Sequence, residues 1–455
     1  MVRLGTESKK IYKTKREKDL TSSTMKRYST YKDSGVKWIG EIPSHWKIEP
    51  FGRHFQYGKG LPITKANLQD KGIAVISYGQ IHAKENFGTT LSDNLVRYVS
   101  PKYLETNPQS LLKQGDFVFA DTSEDIDGSG NVAFNDYPNP IFAGYHTVIA
   151  HPVDLIYPKY DAYLFQSKSW KSQIQSLVNG VKVYSINKSI IKQSILLFPP
   201  LSEQRAIVSF LDTELGKIDT YVDKEQQLIE RLKELKQSVI ARAVTRGINP
   251  NVKMKPSGVN WIGEIPEHWK VNKIRSIFME RREKVSDKEW SALSVSKEGV
   301  LPQLQTAVKT DNGDNRKKVC KGDFVVNSRS DRKGSCGFSD YDGSVSLINI
   351  VLKPLNIVGL FYHYLFRSND YIEEFYKNGR GIVADLWTTR YSEMRNIYIP
   401  IPPLSEQRAI VDYISSATSK IDKLISEKTK EMEYMKELRQ RIISDAVTGK
   451  IDVRS

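Results

Sequence analysis

The sequence predicts an α/β fold of mixed α+β character, made of two copies of one plan that are separated by two long antiparallel coiled-coil helices and related by a pseudo-two-fold internal repeat. Three observations carry this reading. Residues 34–48, SGVKWIGEIPSHWKI, return at 257–271 as SGVNWIGEIPEHWKV, with 12 of 15 positions identical. PPLSEQRAIV stands at 199–208 and again, unchanged, at 402–411. Each of these second blocks opens a long stretch whose apolar residues follow 3-4 spacing.

Between the blocks, residues 49–198 and 272–401 differ in length and sequence, although Gly115-Asp116-Phe117-Val118 is echoed by Gly322-Asp323-Phe324-Val325. The two middles are therefore expected to share a fold while differing in loops and surface. In the first, 74–78, 116–120, 146–150 and 194–198 read as strands and 160–178 as a helix. In the second, 291–296, 323–327 and 345–352 read as strands, with a helix near 357–376. Pro199-Pro200 stops the first middle, Ser202 is the expected N-cap, and Glu203 sets negative charge at the helix N-terminus, where the macrodipole favours it. Val208, Leu211, Leu215, Ile218, Val222, Ile229, Leu232 and Val239 then form a seam, interrupted by Glu225 and Lys236. Val411, Ile414, Ile421, Ile425, Met432, Met435 and Ile442 repeat it. A helix with one apolar stripe needs a partner, and the other copy supplies one. The expected segments are a basic tail at 1–31, a first domain at 32–199 with its helix at 200–255, and a second domain at 256–402 with its helix at 403–455.

The chain has 455 residues, ample for several cores, and a net charge of +15. Ten cations against three acids fall in residues 1–32. This balance favours a polyanionic partner, nucleic acid first and an anionic membrane second. No apolar run approaches the roughly 18 residues that would span a bilayer. Two cysteines, Cys320 and Cys336, make neither a disulfide framework nor a Cys-rich zinc site, and fit the cytoplasm.

Catalytic groups do not assemble. There is no GxxxxGK[ST] phosphate loop and no HExxH spacing. Asn139-Pro140-Ile141-Phe142 lacks the second proline of an amino-methyltransferase loop and reads as a turn entering a strand. Asp121, Glu124, Asp125 and Asp127 read as a solvated loop rather than a Mg²⁺ site. No catalytic residue and no metal ligand is assigned.

The duplicated SGVxWIGEIPxHW, the duplicated PPLSEQRAIV and the long helices resemble the specificity subunit of type I restriction-modification enzymes, from about Lys32 to the C-terminus. The basic tail before Tyr31 lies outside the resemblance, and residues 1–24 are expected to be an upstream extension. The resemblance implies two target recognition domains, each reading one half of a split double-stranded DNA site. It implies that the helices act as a ruler and bind two methyltransferase subunits, to which motor-nuclease restriction subunits attach. It implies no activity and no cofactor in this chain; S-adenosylmethionine, ATP and Mg²⁺ belong to the partners. A cytoplasmic protein without membrane attachment follows. Two alternatives stay open: a methyltransferase or nuclease in its own right, and a coiled-coil adaptor for proteins.

Groups reading different half-sites should differ between copies. The repeated Trp38, Trp46, Trp261, Trp269, His45 and His268 are therefore expected to form a packing clasp, and Arg205 and Arg408 to serve scaffold or partner. DNA-contact candidates are polar or basic loop residues unlike between the copies. In the first domain these are Lys59, Tyr78, Gln80, His82, Lys84, Lys182 and Tyr184. In the second they are Arg281, Arg282, Lys297, Arg329, Arg332, Lys333, Arg380 and Arg390. Arginine suits guanine and glutamine suits adenine, while lysine more often holds phosphate.

Overall fold

A computed structural model describes residues 26–153, 157–178, 180, 183–303, 313–381 and 387–454. The chain divides into two units, Met1–Lys224 with Glu431–Ser455, and Glu225–Lys430. In the first, a four-stranded antiparallel sheet runs in the order Phe55–Lys59, Thr147–Pro152, Phe117–Ala120, Val132–Phe134. In the second the order is the same: Phe278–Glu280, Asn349–Pro354, Phe324–Asn327, Cys336–Phe338. The echoed GDFV segments are thus the equivalent inner strands, and because both faces are covered they read as continuous apolar runs. Aromatic packing fills each core, with Phe51, Phe119, Phe165 and Trp170 in one and Phe278, Phe324, Tyr362 and Phe366 in the other.

Three expected elements are interrupted. The helix over 160–178 is two helices, Pro158–Gln166 and Lys168–Leu177, because Ser167 breaks the first and caps the second by accepting from Trp170 N at 3.2 Å. Gly359–Phe366 and Asn369–Lys377 also divide at Ser368, but there the hydroxyl donates back to Leu365 O at 2.7 Å and does not cap the second helix. The strand over 345–352 is the end of Gly343–Val345 and the start of Asn349–Pro354, with a turn between them. The strand over 74–78 stops at Ile76, and Tyr78–Ile81 forms one helical turn.

The long helices are Leu201–Arg246 and Leu404–Val447. The first begins one residue before Ser202, since the N–H groups of Glu203 and Gln204 donate to Pro200 O at 2.8 and 3.0 Å. Ser202 therefore lies exposed in the first turn and is not the cap. Within the first unit, Tyr221 donates to Glu431 at 2.8 Å and Arg439 to Asp219 at 3.2 Å. Within the second, Lys428 meets Glu225 at 3.2 Å and Lys236 meets Asp422 at 2.7 Å. In each unit one index falls as the other rises, so the helical segments pair antiparallel. Both polar interruptions of the seam are cross-helix ion pairs, a device that sets partner register.

The two repeated blocks touch each other. Glu203, 5% exposed, accepts from Trp46 Nε1 at 2.9 Å, His45 Nε2 at 2.6 Å and Tyr28 OH at 3.2 Å. Glu406 accepts in the same way from Trp269 Nε1 at 2.9 Å and from His268. The neighbouring glutamines brace each domain: Gln204 accepts from Tyr157 N and donates to Pro199 O, and Gln407 accepts from Val358 N and donates to Pro402 O. Each tryptophan also lies against the far end of the other helix. A Cβ on Gly449 would stand 3.2 Å from the Trp46 ring and one on Gly247 would stand 3.3 Å from Trp269, and both glycines hold positive φ.

The expected clasp is thus Trp46 with His45 and Trp269 with His268, each closed on a glutamate. Trp38 departs from it at 41% exposure, and Trp261 instead donates its indole N–H to Tyr398 O. Residues 26–31, assigned to the tail by sequence, belong to the first unit. Tyr28 is buried on Glu203, and Asp452 N donates to Lys26 O at 2.7 Å. Burial, reinforced by the Glu203 carboxylate, pushes the Tyr28 hydroxyl up, so it stays a donor.

Among the titratable groups of the second unit that respond to burial are Cys336 and His363. The Cys336 thiol is pushed up to about 12, which leaves it little nucleophilic character. Burial, with the Arg367 guanidinium adding to it, lowers the His363 imidazole to about 4. An unfolded histidine titrates near 6.5, so the folded unit binds fewer protons between these values. Its contribution is complete above about pH 6.5 and is lost as pH falls toward 4, by about 3 kcal/mol. His363→Phe should therefore narrow the difference in thermal midpoint between pH 7 and pH 4.5. An unchanged difference in the variant would remove His363 as its source.

Candidate nucleic-acid interface

In the first unit the end of the sheet gathers several of the expected contact residues. Lys59 closes its strand opposite Val148 and is exposed. Beside it the turn into Thr147–Pro152 brings His146 to 3.2 Å from Asp121, and Asp121 N donates to His146 O at 3.1 Å. Tyr78, on the helical turn after its strand, stands edge-on to Tyr145, His146 and His82, with ring centroids 5.6, 5.4 and 6.3 Å away. Tyr184 pairs with Ser123 on the adjoining two-stranded ribbon. Lys84 is exposed just beyond that turn. Lys182 lies outside the described residues.

Two of these side chains are committed to structure. His82 donates from Nε2 to Thr122 O at 2.8 Å and its Nδ1 meets Asn131 Nδ2 at 3.1 Å, so both ring nitrogens brace neighbouring loops. Gln80 Oε1 accepts from Ser77 N and closes its own turn. His82 can meet a base only by giving up one of these bonds, whereas Gln80 spends only its amide oxygen and keeps its amide NH2 for a ligand.

The second unit divides similarly. Arg281 turns inward onto buried Asp323, with Nε at 2.6 Å and Nη2 at 3.1 Å, and works as a structural pair. Arg282, the topological counterpart of Lys59, is exposed and meets Glu280 at 2.6 Å. Arg329 forks onto Asp331, which Arg332 also faces at 3.8 Å; Lys333 meets Glu373 at 3.0 Å. Arg380 meets Glu393 at 3.8 Å. Arg390 and Lys297 are exposed, the carbonyl of Lys297 being bonded by Arg367. Arg329 and Arg380 flank one segment, since both form backbone bridges to Thr388. Surface pairs of this kind are weak and exchange readily for phosphate.

Each unit thus carries one open edge where loops of unlike sequence converge on a sheet of like topology. The model of the type I restriction modification DNA specificity domain matches the chain twice, over residues 43–233 and 266–434. The chain belongs to this family. Among curated relatives, it is 24% identical over 437 residues to the EcoKI specificity subunit of Escherichia coli K12, covering 90% of each. It is 25% identical over 463 residues to the MjaVIII specificity subunit of Methanocaldococcus jannaschii, covering 93% of this chain and 98% of that one. A solved chain from work on complex assembly and conformational transition of the type I R-M system shares the fold, with TM-score 0.62, 15% identity, and coverage of 89% of this chain and 98% of that one.

Within the first specificity domain, sequence reasoning missed Asp121, Tyr145 and His146, which share a surface with Tyr78. The available signal was Gly144-Tyr145-His146 directly before a strand, a turn carrying two hydrogen-bonding rings. Among the described residues no helix is long and apolar enough to cross a membrane, and no cluster of metal-ligating side chains forms.

Proposed function

We propose that this chain is the non-catalytic specificity subunit of a cytoplasmic type I restriction-modification complex, each specificity domain reading one half of a bipartite site in double-stranded DNA. The observation that carries this reading is the contrast between repeated clasps and unlike loop edges: one scaffold task is done twice, and two different surfaces are offered to a ligand. The long helices set the interval between the half-sites and dock two methyltransferase subunits, which bring S-adenosylmethionine; restriction subunits bring the ATP and Mg²⁺ chemistry. Support for two copies of one partner comes from Ser202 with Arg205 and Ser405 with Arg408. These four residues are exposed and identical in the two blocks, whereas the Glu, Gln and Ile between or beside them are consumed by packing.

Exchange of residues 49–198 for the equivalent segment of another family member tests the reading. Methylome sequencing of cells carrying the chimaera and its methyltransferase should find one half of the methylated motif replaced and the other retained. A change in both halves together would sink the one-domain, one-half-site assignment.

A further inference from the structure

A three-segment junction stands at the equivalent place in both domains, closed by a backbone N–H in the first and by a serine hydroxyl in the second. In the first, Asp121 N donates to His146 O at 3.1 Å and Ile186 N donates to Asp121 O at 2.7 Å. In the second, Ser328 Oγ donates to Ile348 O and Thr389 N donates to Ser328 O at 3.0 Å. The turn at the centre is closed in each domain by the side chain of the first residue of the following strand. Thr147 Oγ1 donates to Gly144 O at 2.7 Å, and Asn349 Nδ2 donates to Ser346 O at 3.2 Å. The three segments thus meet in the same order in both domains, while the tip differs in backbone as well as in side chains: Tyr145-His146, with His146 at positive φ, against Leu347-Ile348, neither of which holds positive φ.

Tyr145 is partly buried against Tyr78 and the cluster around Phe142, whereas His146, Leu347 and Ile348 stay open at the surface. His146 is exposed and holds φ +57°, a left-handed conformation that glycine adopts without strain. Backbone strain of this kind is often found at ligand-binding sites. Leu347 and Ile348 remain 39% and 38% exposed, side by side, where a polar residue would serve the turn equally well. Cations are close along the joined segments: Lys317 Nζ donates to Asn349 O, Arg329, forked onto Asp331, follows Ser328, and Arg390 follows Thr389. An apolar tip framed by cations suits a base edge between phosphates, because the thymine 5-methyl is the apolar feature of the major groove.

We propose that these tips are the base-reading centres of the two domains, Tyr145 and His146 reading by hydrogen bonds, and Leu347 with Ile348 reading the methyl group of a thymine in the other half-site. This deepens the bipartite reading above and rests on it.

The test uses the chain in complex with its methyltransferase. His146→Asn keeps a residue that tolerates positive φ while replacing the imidazole; the second variant carries Leu347→Ser with Ile348→Ser. Methylome sequencing should find the motif relaxed in one half for the first variant and at a thymine-containing position of the other half for the second. Deoxyuridine in place of thymidine in that half should weaken binding of the unaltered complex about tenfold and leave the double variant unaffected. Thermal melts showing wild-type transitions establish that both variants fold. An unaltered complex that methylates a two-part motif, with both variants methylating the same motif unrelaxed, overturns this proposal and leaves the specificity reading standing. Loss of methyltransferase from the purified double variant overturns it too, making the tip a protein contact. An unaltered complex with no two-part motif overturns both readings.

Discussion

Replacing Glu203 with alanine is expected to destabilise the first unit by about 3–5 kcal/mol, the range for breaking a buried, hydrogen-bonded charged group. The carboxylate is nearly closed off from solvent and takes bonds from Trp46, His45 and Tyr28, with Arg454 Nη1 at 3.2 Å completing the set. Alanine leaves the indole N–H and the phenol buried without an acceptor, each costing about 1–3 kcal/mol. Glu203→Gln preserves one carbonyl acceptor and should cost less. Glu406→Ala should also cost less than Glu203→Ala, because Glu406 is more open and its bonded partners are Trp269 and His268. At roughly 2–4 °C per kcal/mol for a domain of this size, scanning calorimetry should find the first unit's transition lowered by about 6 °C or more. A Glu203→Ala midpoint within 2 °C of the parent would show that the clasp is held by packing of the tryptophan alone.

A circular permutant should fold and keep its methylated motif. In the second unit, residues 247–253 lead covalently from the end of the first long helix into the strand Met254–Pro256, and Lys253 O accepts from Glu267 N at 2.8 Å. In the first unit the matching path is interrupted by the chain ends: Thr30 O accepts from Ser44 N at 3.1 Å, and the residues after the second long helix approach those before Tyr31. Tyr31 OH donates to Gly449 O at 3.0 Å, and Asp452 bridges Lys26. A short Gly-Ser linker from Arg454 to Lys26, with a new opening between Pro250 and Asn251, exchanges the two connections. The join belongs at Lys26 rather than further along because Tyr28 is needed in the clasp. The opening belongs before Lys253, whose carbonyl is in use. Size-exclusion chromatography and methylome sequencing check the outcome, and a soluble permutant with an altered motif would contradict the equivalence of the two paths.

The repeats carried most of the architecture. Two copies, the extents of both long helices to within a few residues, the antiparallel pairing and the echoed inner strands follow from periodicity and self-similarity. These are local or copy-to-copy properties, visible without knowing which residues meet. The interruptions at Ser167 and at 346–348 were not legible, because a capping serine inside a helical pattern and a turn inside an apolar run differ from their surroundings by a hydrogen bond that periodicity does not register.

The sequence by itself determined that SGVxWIGEIPxHW and PPLSEQRAIV serve the same purpose twice, since only a shared task keeps two such blocks alike beside divergent middles. Tertiary structure alone decided what that purpose is: Glu203 and Gln204 become clasp and brace only when Trp46 and Tyr157, distant along the chain, arrive beside them. It also decided which candidates remain open to a ligand. A basic residue looks the same in sequence whether it faces solvent, as Arg390 does, or is locked to a buried carboxylate, as Arg281 is. Leu347 and Ile348 read as core because apolar residues beside a strand usually are; their exposure arises from the path of a turn, which depends on where the neighbouring segments donate their hydrogen bonds.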